Sequence, residues 1–143
     1  MHYLRLALLG LLVIPASLSA GELAAKAMKV SGVVIEDQMD DMARVGMKLE
    51  NTGKATHTLV AAYAPIAVQT QLHVCDQVDG KSVMRQISGV TVPAEGETVL
   101  RSAGLHVMLM GLKAPLKPGE EVPLRLIFGD GSSVEVLAKA ADK

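Results

Sequence analysis

Aromatic residues are nearly missing from this chain: among 143 residues there is no Trp, one Phe and two Tyr. Past residue 19 only Tyr63 and Phe128 remain, so ring platforms that stack on sugars or bases are excluded. A core has to be assembled from Val, Leu, Ile, Ala and Met instead. Cysteine occurs once, as Cys75, which rules out a disulfide within the chain and leaves one free thiol. Neither sign of charge dominates, with 14 Lys and Arg against 15 Asp and Glu, and no basic run is dense enough for nucleic acid or an anionic membrane. There is no Gly-x-Ser-x-Gly elbow, His-Glu-x-x-His helix, nucleotide glycine loop or paired-carboxylate arrangement, so an enzyme is not expected.

What is present begins with a leader. His2 and Arg5 precede an apolar run, Leu6 to Ile14, and the small-residue stretch Pro15 to Ala20 follows. This is the pattern of an export signal over residues 1–19, with cleavage after Ser19 favoured over Ala20. The apolar run is too short to span a bilayer, and no later one approaches the ~20 apolar residues a membrane helix needs. Residues 20–143 are then expected to form one exported, monomeric domain around a single core, with no stable membrane insertion.

Turn signals recur at short intervals: Asn51 to Lys54, Asp79-Gly80, Pro93 to Gly96, Lys117 to Gly119 and Gly129 to Ser132. Between them lie short runs rich in Val, Leu and Ile, the signature of an all-β sandwich or barrel. Strands are predicted near 27–35, 43–50, 56–63, 67–75, 82–87, 97–101, 105–112, 121–128 and 133–138. Gln38 to Met42 reads as a helical turn or an acidic, solvated loop.

Alternation sorts the faces of these strands. From Val68 to Cys75 the even positions are mostly apolar, which puts His73 and Cys75 on the side away from the core. If Asp79-Gly80 makes a two-residue type I′ turn, Cys75 faces Met84 directly and His73 lies diagonal to it. In Leu105 to Met110, residues 106, 108 and 110 point one way together. Two half-sites result, His73 with Met84, and His106 with Met108 or Met110. Whether they meet does not follow from the spacing.

Imidazoles combined with thioethers suit a soft cation, cuprous copper above all, whereas zinc would favour Cys, His or carboxylates. The pattern His73-x10-Met84-x21-His106-x-Met108 sits within Leu72-His73, Val83-Met84-Arg85 and His106-Val107-Met108-Leu109-Met110-Gly111-Leu112-Lys113. Together with Pro115 to Glu120 and Leu124 to Gly131, it resembles the periplasmic copper chaperones of the PCuAC family. The resemblance implies a cupredoxin-like Greek-key β-sandwich and a solvent-near Cu(I) site whose ligands are His73, Met84, His106 and Met108. It also implies a periplasmic chaperone that passes copper, through transient contacts, to the copper-site subunit of cytochrome oxidase or to another copper chaperone. A copper-buffering or resistance protein with the same site and no dedicated acceptor is the alternative.

The other candidates receive plainer readings. Met28 and Met47 are assigned to the core, Met39 and Met42 to an incidental place in the acidic connection, and His57 to the surface. Met110 is a packing lid over the site or a spare ligand. Cys75 is a copper ligand or a small packed side chain.

Overall fold

In the computed structural model, which describes residues 21–142, a single helical turn is followed by ten strands. The expected leader at residues 1–19 lies outside the described residues. The turn is α1 (Ala24–Ala27); the strands are β1 (Met28–Met39), β2 (Met42–Asn51), β3 (His57–Tyr63), β4 (Ala67–Val78), β5 (Lys81–Gln86), β6 (Val90–Val92), β7 (Gly96–Leu100), β8 (Leu105–Leu112), β9 (Glu121–Phe128) and β10 (Ser133–Ala140). Strand β9 shows why these segments are strands: Val122, Leu124, Leu126 and Phe128 are buried while Glu121, Pro123 and Arg125 between them are exposed, a period of two.

Hydrogen-bonded neighbours run β5-β4-β8-β2-β1-β10-β9-β3-β6, with β7 beside the distal half of β2. All pairs are antiparallel except β1 with β10. The sheet folds over so that Val45, Met47, Leu49, Leu72, Val107 and Leu109 join Leu59, Leu124, Leu126 and Phe128 in one core. The result is a mixed, cupredoxin-like Greek-key sandwich. The barrel form of the expectation is corrected, since β5 and β6 stand at opposite ends of the strand order and the sheet does not close.

Met28 and Met47 lie in the core, as expected. Two other expectations change. Strand β1 runs on to Met39, so Gln38 to Met42 is the tip of a hairpin and not a helical turn; Met39 pairs with Met42 and Asp40 turns the chain at φ 53°. Strand β6 was not predicted, because three residues are too few for a periodic signal.

The β1–β2 hairpin also fixes the approach to β8. A bulge between Ile35 and Asp37 lays the Glu36 carboxylate over Gly46, where a Cβ would sit 2.5 Å from Oε1 and 2.7 Å from the Leu100 carbonyl oxygen. Only glycine allows that approach. Glu36 Oε2 then accepts the Ser102 N–H at 2.6 Å, tying down the loop between β7 and β8.

Candidate metal centre

The Asp79-Gly80 turn sets the first half of the centre. Both residues have positive φ, 51° and 75°, as a type I′ turn requires, and the register that follows places Cys75 opposite Met84. His73 therefore sits diagonal to Met84 on the same face. The second half arrives because β8 pairs with the other edge of β4: His73 is directly opposite His106, Gln71 opposite Met108 and Gln69 opposite Met110. All four predicted residues thus occupy one face of three adjacent strands. The two imidazole rings have centroids 5.9 Å apart and planes inclined at 47°.

Each ring has one nitrogen engaged and one free. His106 Nδ1–H donates to the Gly104 carbonyl at 2.9 Å, and His73 Nε2–H donates to Gln71 Oε1 at 2.8 Å. Because both partners are acceptors, His106 Nε2 and His73 Nδ1 are left as bare lone pairs, and both are buried without a hydrogen-bond partner. A buried polar atom left unpaired costs about 1–3 kcal/mol, so two on one face call for a ligand. Metal-binding histidines are arranged this way, the non-ligating N–H held by a carbonyl that fixes the tautomer.

Electrostatics favour the neutral ligand form. Burial lowers the His73 pKa below its ordinary 6.5, and the neighbouring His106 lowers it further. Burial also lowers that of His106, against the Gly104 hydrogen bond, with Arg44 acting in the same direction as burial. Both shifts favour the neutral ring, the form able to ligate.

The centre is less open than expected. His106 and Met108 are buried, at 0% and 5% exposure, while His73 and Met84 are half-buried. The expectation of a solvent-near site is corrected to one whose β8 half is covered and whose β4–β5 half reaches solvent. Beside it lies a cavity of about 170 Å³ lined by His73, Met84, Met108, Met110, Met42 and Met39, with Asp37 and Arg44 at its wall. Asp37 and Arg44 approach each other at 3.9 Å.

Among the described residues no three His, Cys, Asp or Glu side chains form a metal-binding group. The side chains that do gather on this face, two imidazoles with thioethers, are donors that suit Cu(I) better than zinc or harder cations. Cys75 is a half-buried free thiol opposite Met84, and its backbone N–H shares the Gly104 carbonyl at 3.0 Å with His106. His57 is half-buried at the start of β3, paired with Val92, and not at the surface as expected. Its Nε2 is also buried without a partner.

Sequence reasoning missed Gln71 and Gly104, although each lies two residues before its histidine, Gln71 on the same strand face and Gly104 offering its carbonyl from the loop before β8. It also missed Asp37 and Arg44, and it left Met39 and Met42 outside the site. Those four arrive through the pairing of β2 with β8 and of β1 with β2, which carries no local signal.

The mixed β-sandwich that carries these residues has the fold of PCuAC domains. The copper-bound PCuAC domain from PmoF2 has the same fold at a TM-score of 0.70, with 15% identity over 85% of this chain and 97% of that one. The solution structure of Cu(I)-loaded DR1885 from Deinococcus radiodurans is 31% identical and superposes at a TM-score of 0.64, covering 86% of this chain and 81% of that one. The chain belongs to the family described as "Putative lipoprotein LpqE-like", whose model matches residues 22–140. The protein described as "Putative lipoprotein Lxx21020" from Leifsonia xyli subsp. xyli is 34% identical over 130 residues, 90% of this chain and 78% of that protein.

Proposed function

We propose that this protein is an exported copper carrier that holds one Cu(I) between His73, Met84, His106 and Met108 and buffers the ion or hands it on. The observation that carries this reading is the pair of buried, unpartnered imidazole nitrogens, on rings 5.9 Å apart, facing the same side as two methionines. The Cu(I)-loaded state of the 31% identical Deinococcus protein supports the choice of metal. Copper is cargo here: with protein ligands filling its coordination there is little vacancy for a substrate, and partner thiolates can displace the half-buried Met84 and His73 first. Residues 1–19 act as the export signal and 20–143 as the monomeric carrier domain in the periplasm.

The test is an anaerobic Cu(I) titration with X-ray absorption. One tight equivalent with both nitrogen and sulfur neighbours is expected. His73→Ala, Met84→Leu, His106→Ala and Met108→Leu each lose affinity, and the core substitution Met47→Leu loses almost none. Equal effects of Met47→Leu and Met84→Leu would refute the assignment.

Delivery to the copper-site subunit of cytochrome oxidase is the narrower reading, and the His73-to-Met108 motif with its flanks favours it. A deletion strain grown at low copper should then lose oxidase activity and regain it with added copper. Intact oxidase with reduced copper tolerance would leave buffering as the function.

A further inference from the structure

Three methionines outside the His73, Met84, His106, Met108 set stand in a row across neighbouring strands. Met39 on β1 pairs directly with Met42 on β2, and Met42 pairs directly with Met110 on β8. Residues directly opposite in antiparallel strands share a face, with Cβ atoms about 4.5–5.5 Å apart. All three side chains line the cavity of about 170 Å³ that Met84, Met108 and His73 also line. The row therefore leads from the copper set to the tip of the β1–β2 hairpin.

Packing explains this row poorly. Met39 is 55% exposed, so it fills no gap in the core, and Met42 and Met110 are half-buried against the cavity. None of the three belongs to the buried core. The charge around them is negative: the exposed turn Asp40-Asp41 lies between Met39 and Met42, while Asp37 at the cavity wall is matched by Arg44. The two exposed turn carboxylates, which join none of the ion pairs among the described residues, raise the local concentration of a cation beside Met39 and Met42, and three thioethers select a soft one.

We propose that Met39, Met42 and Met110 form a second, weaker subsite for a soft monovalent cation, Cu(I), through which the ion enters and leaves the tighter site by exchange of one thioether for the next. The subsite rests on the copper-carrier reading. It extends that reading by giving the covered His106 and Met108 a route to solvent. No bond other than metal–ligand bonds changes, and the ion keeps its charge throughout.

The experiment is a titration of the full mature chain with Ag(I), a redox-inert probe of the same softness and charge, followed by NMR of methyl-labelled methionines. The first equivalent should shift the methyls of Met84 and Met108. The second should shift those of Met39, Met42 and Met110, with affinity at least ~100-fold weaker. In the volume-conserving double variant Met39→Leu/Met42→Leu the second equivalent should vanish and the first remain. In His73→Ala/His106→Ala the first should weaken and the second persist. Met39 and Met42 methyls that stay unmoved under excess Ag(I), or loss of both equivalents in the histidine variant, would overturn the subsite. A first equivalent that moves neither Met84 nor Met108 would overturn the carrier reading itself, so the two failures are distinguishable.

Discussion

Replacing His106 with Leu separates a ligand from a structural residue. His106 is fully buried, its Nε2 has no protein partner and its Nδ1–H donates to Gly104. Leu is of similar size and carries no polar atom. The variant relieves an unpaired buried acceptor, worth about 1–3 kcal/mol, and gives up one hydrogen bond, worth about 0.5–1.5 kcal/mol. The Gly104 carbonyl is not orphaned by the loss, because it still accepts the Cys75 N–H at 3.0 Å. The balance is a gain of about 1 kcal/mol in the apo state, or about 3–5 °C in Tm for a domain of this size. Cu(I) binding moves the opposite way. At a free Cu(I) level of ~100 Kd the native protein should gain ~2.7 kcal/mol from the ion, and the variant should gain almost none. Calorimetric melts of both proteins, with and without buffered Cu(I), measure the two effects. An apo variant destabilised by more than ~2 kcal/mol, beyond anything the lost hydrogen bond can account for, would show that the ring is a satisfied core element and refute the reasoning.

The lowered pKa values of His73 and His106 carry a pH dependence of definite sign: the unfolded chain takes up protons near 6.5 while the folded chain resists. Apo stability should be complete above pH 6.5 and fall below it, until the depressed folded values are passed. Urea midpoints at pH 7.5 and 5 test this, and His106→Leu should flatten the slope. Gln71→Ala removes the acceptor that orients His73 and should weaken Cu(I) about 10-fold without disturbing the fold, measured by competition with a chromophoric chelator. Asp130, held to about 2 by the Ser132 hydroxyl and the Ala24 and Ser132 N–H groups, pins α1 to the β9–β10 turn. Its folded pKa is depressed, so its contribution is present above pH 3.8 and lost as pH falls towards 2. Asp130→Ala should free the Ala24 amide to exchange hydrogen quickly at neutral pH while amides of β8 stay protected.

Much of the candidate metal centre is local, and the sequence by itself determined that part. Strict alternation along β4 and β8 puts His73 with Cys75, and His106 with Met108 and Met110, because successive strand residues must point to opposite faces. Asp79-Gly80 fixes the β4–β5 register, because Asp and Gly tolerate the two positive φ values that a two-residue hairpin demands. The core assignment of Met28 and Met47 follows from the shortage of aromatics, which dictates a core of aliphatic side chains with methionine as gap-filler.

Only the tertiary structure decided what the two half-sites do together. The pairing of β4 with β8 brings His73 opposite His106 across thirty-two intervening residues, and no turn in between specifies it. The alternation of β8 foretold a face for His106 but not its burial, which depends on what packs over that face. Likewise Met39, Met42 and Arg44 join the cavity through the pairing of β2 with β8 and the continuation of β1 into the hairpin. Side-chain period is a property of one strand and can be read from it. Which strands become neighbours is settled by how the whole sheet folds over to bury its apolar face, a free energy that belongs to all the strands at once.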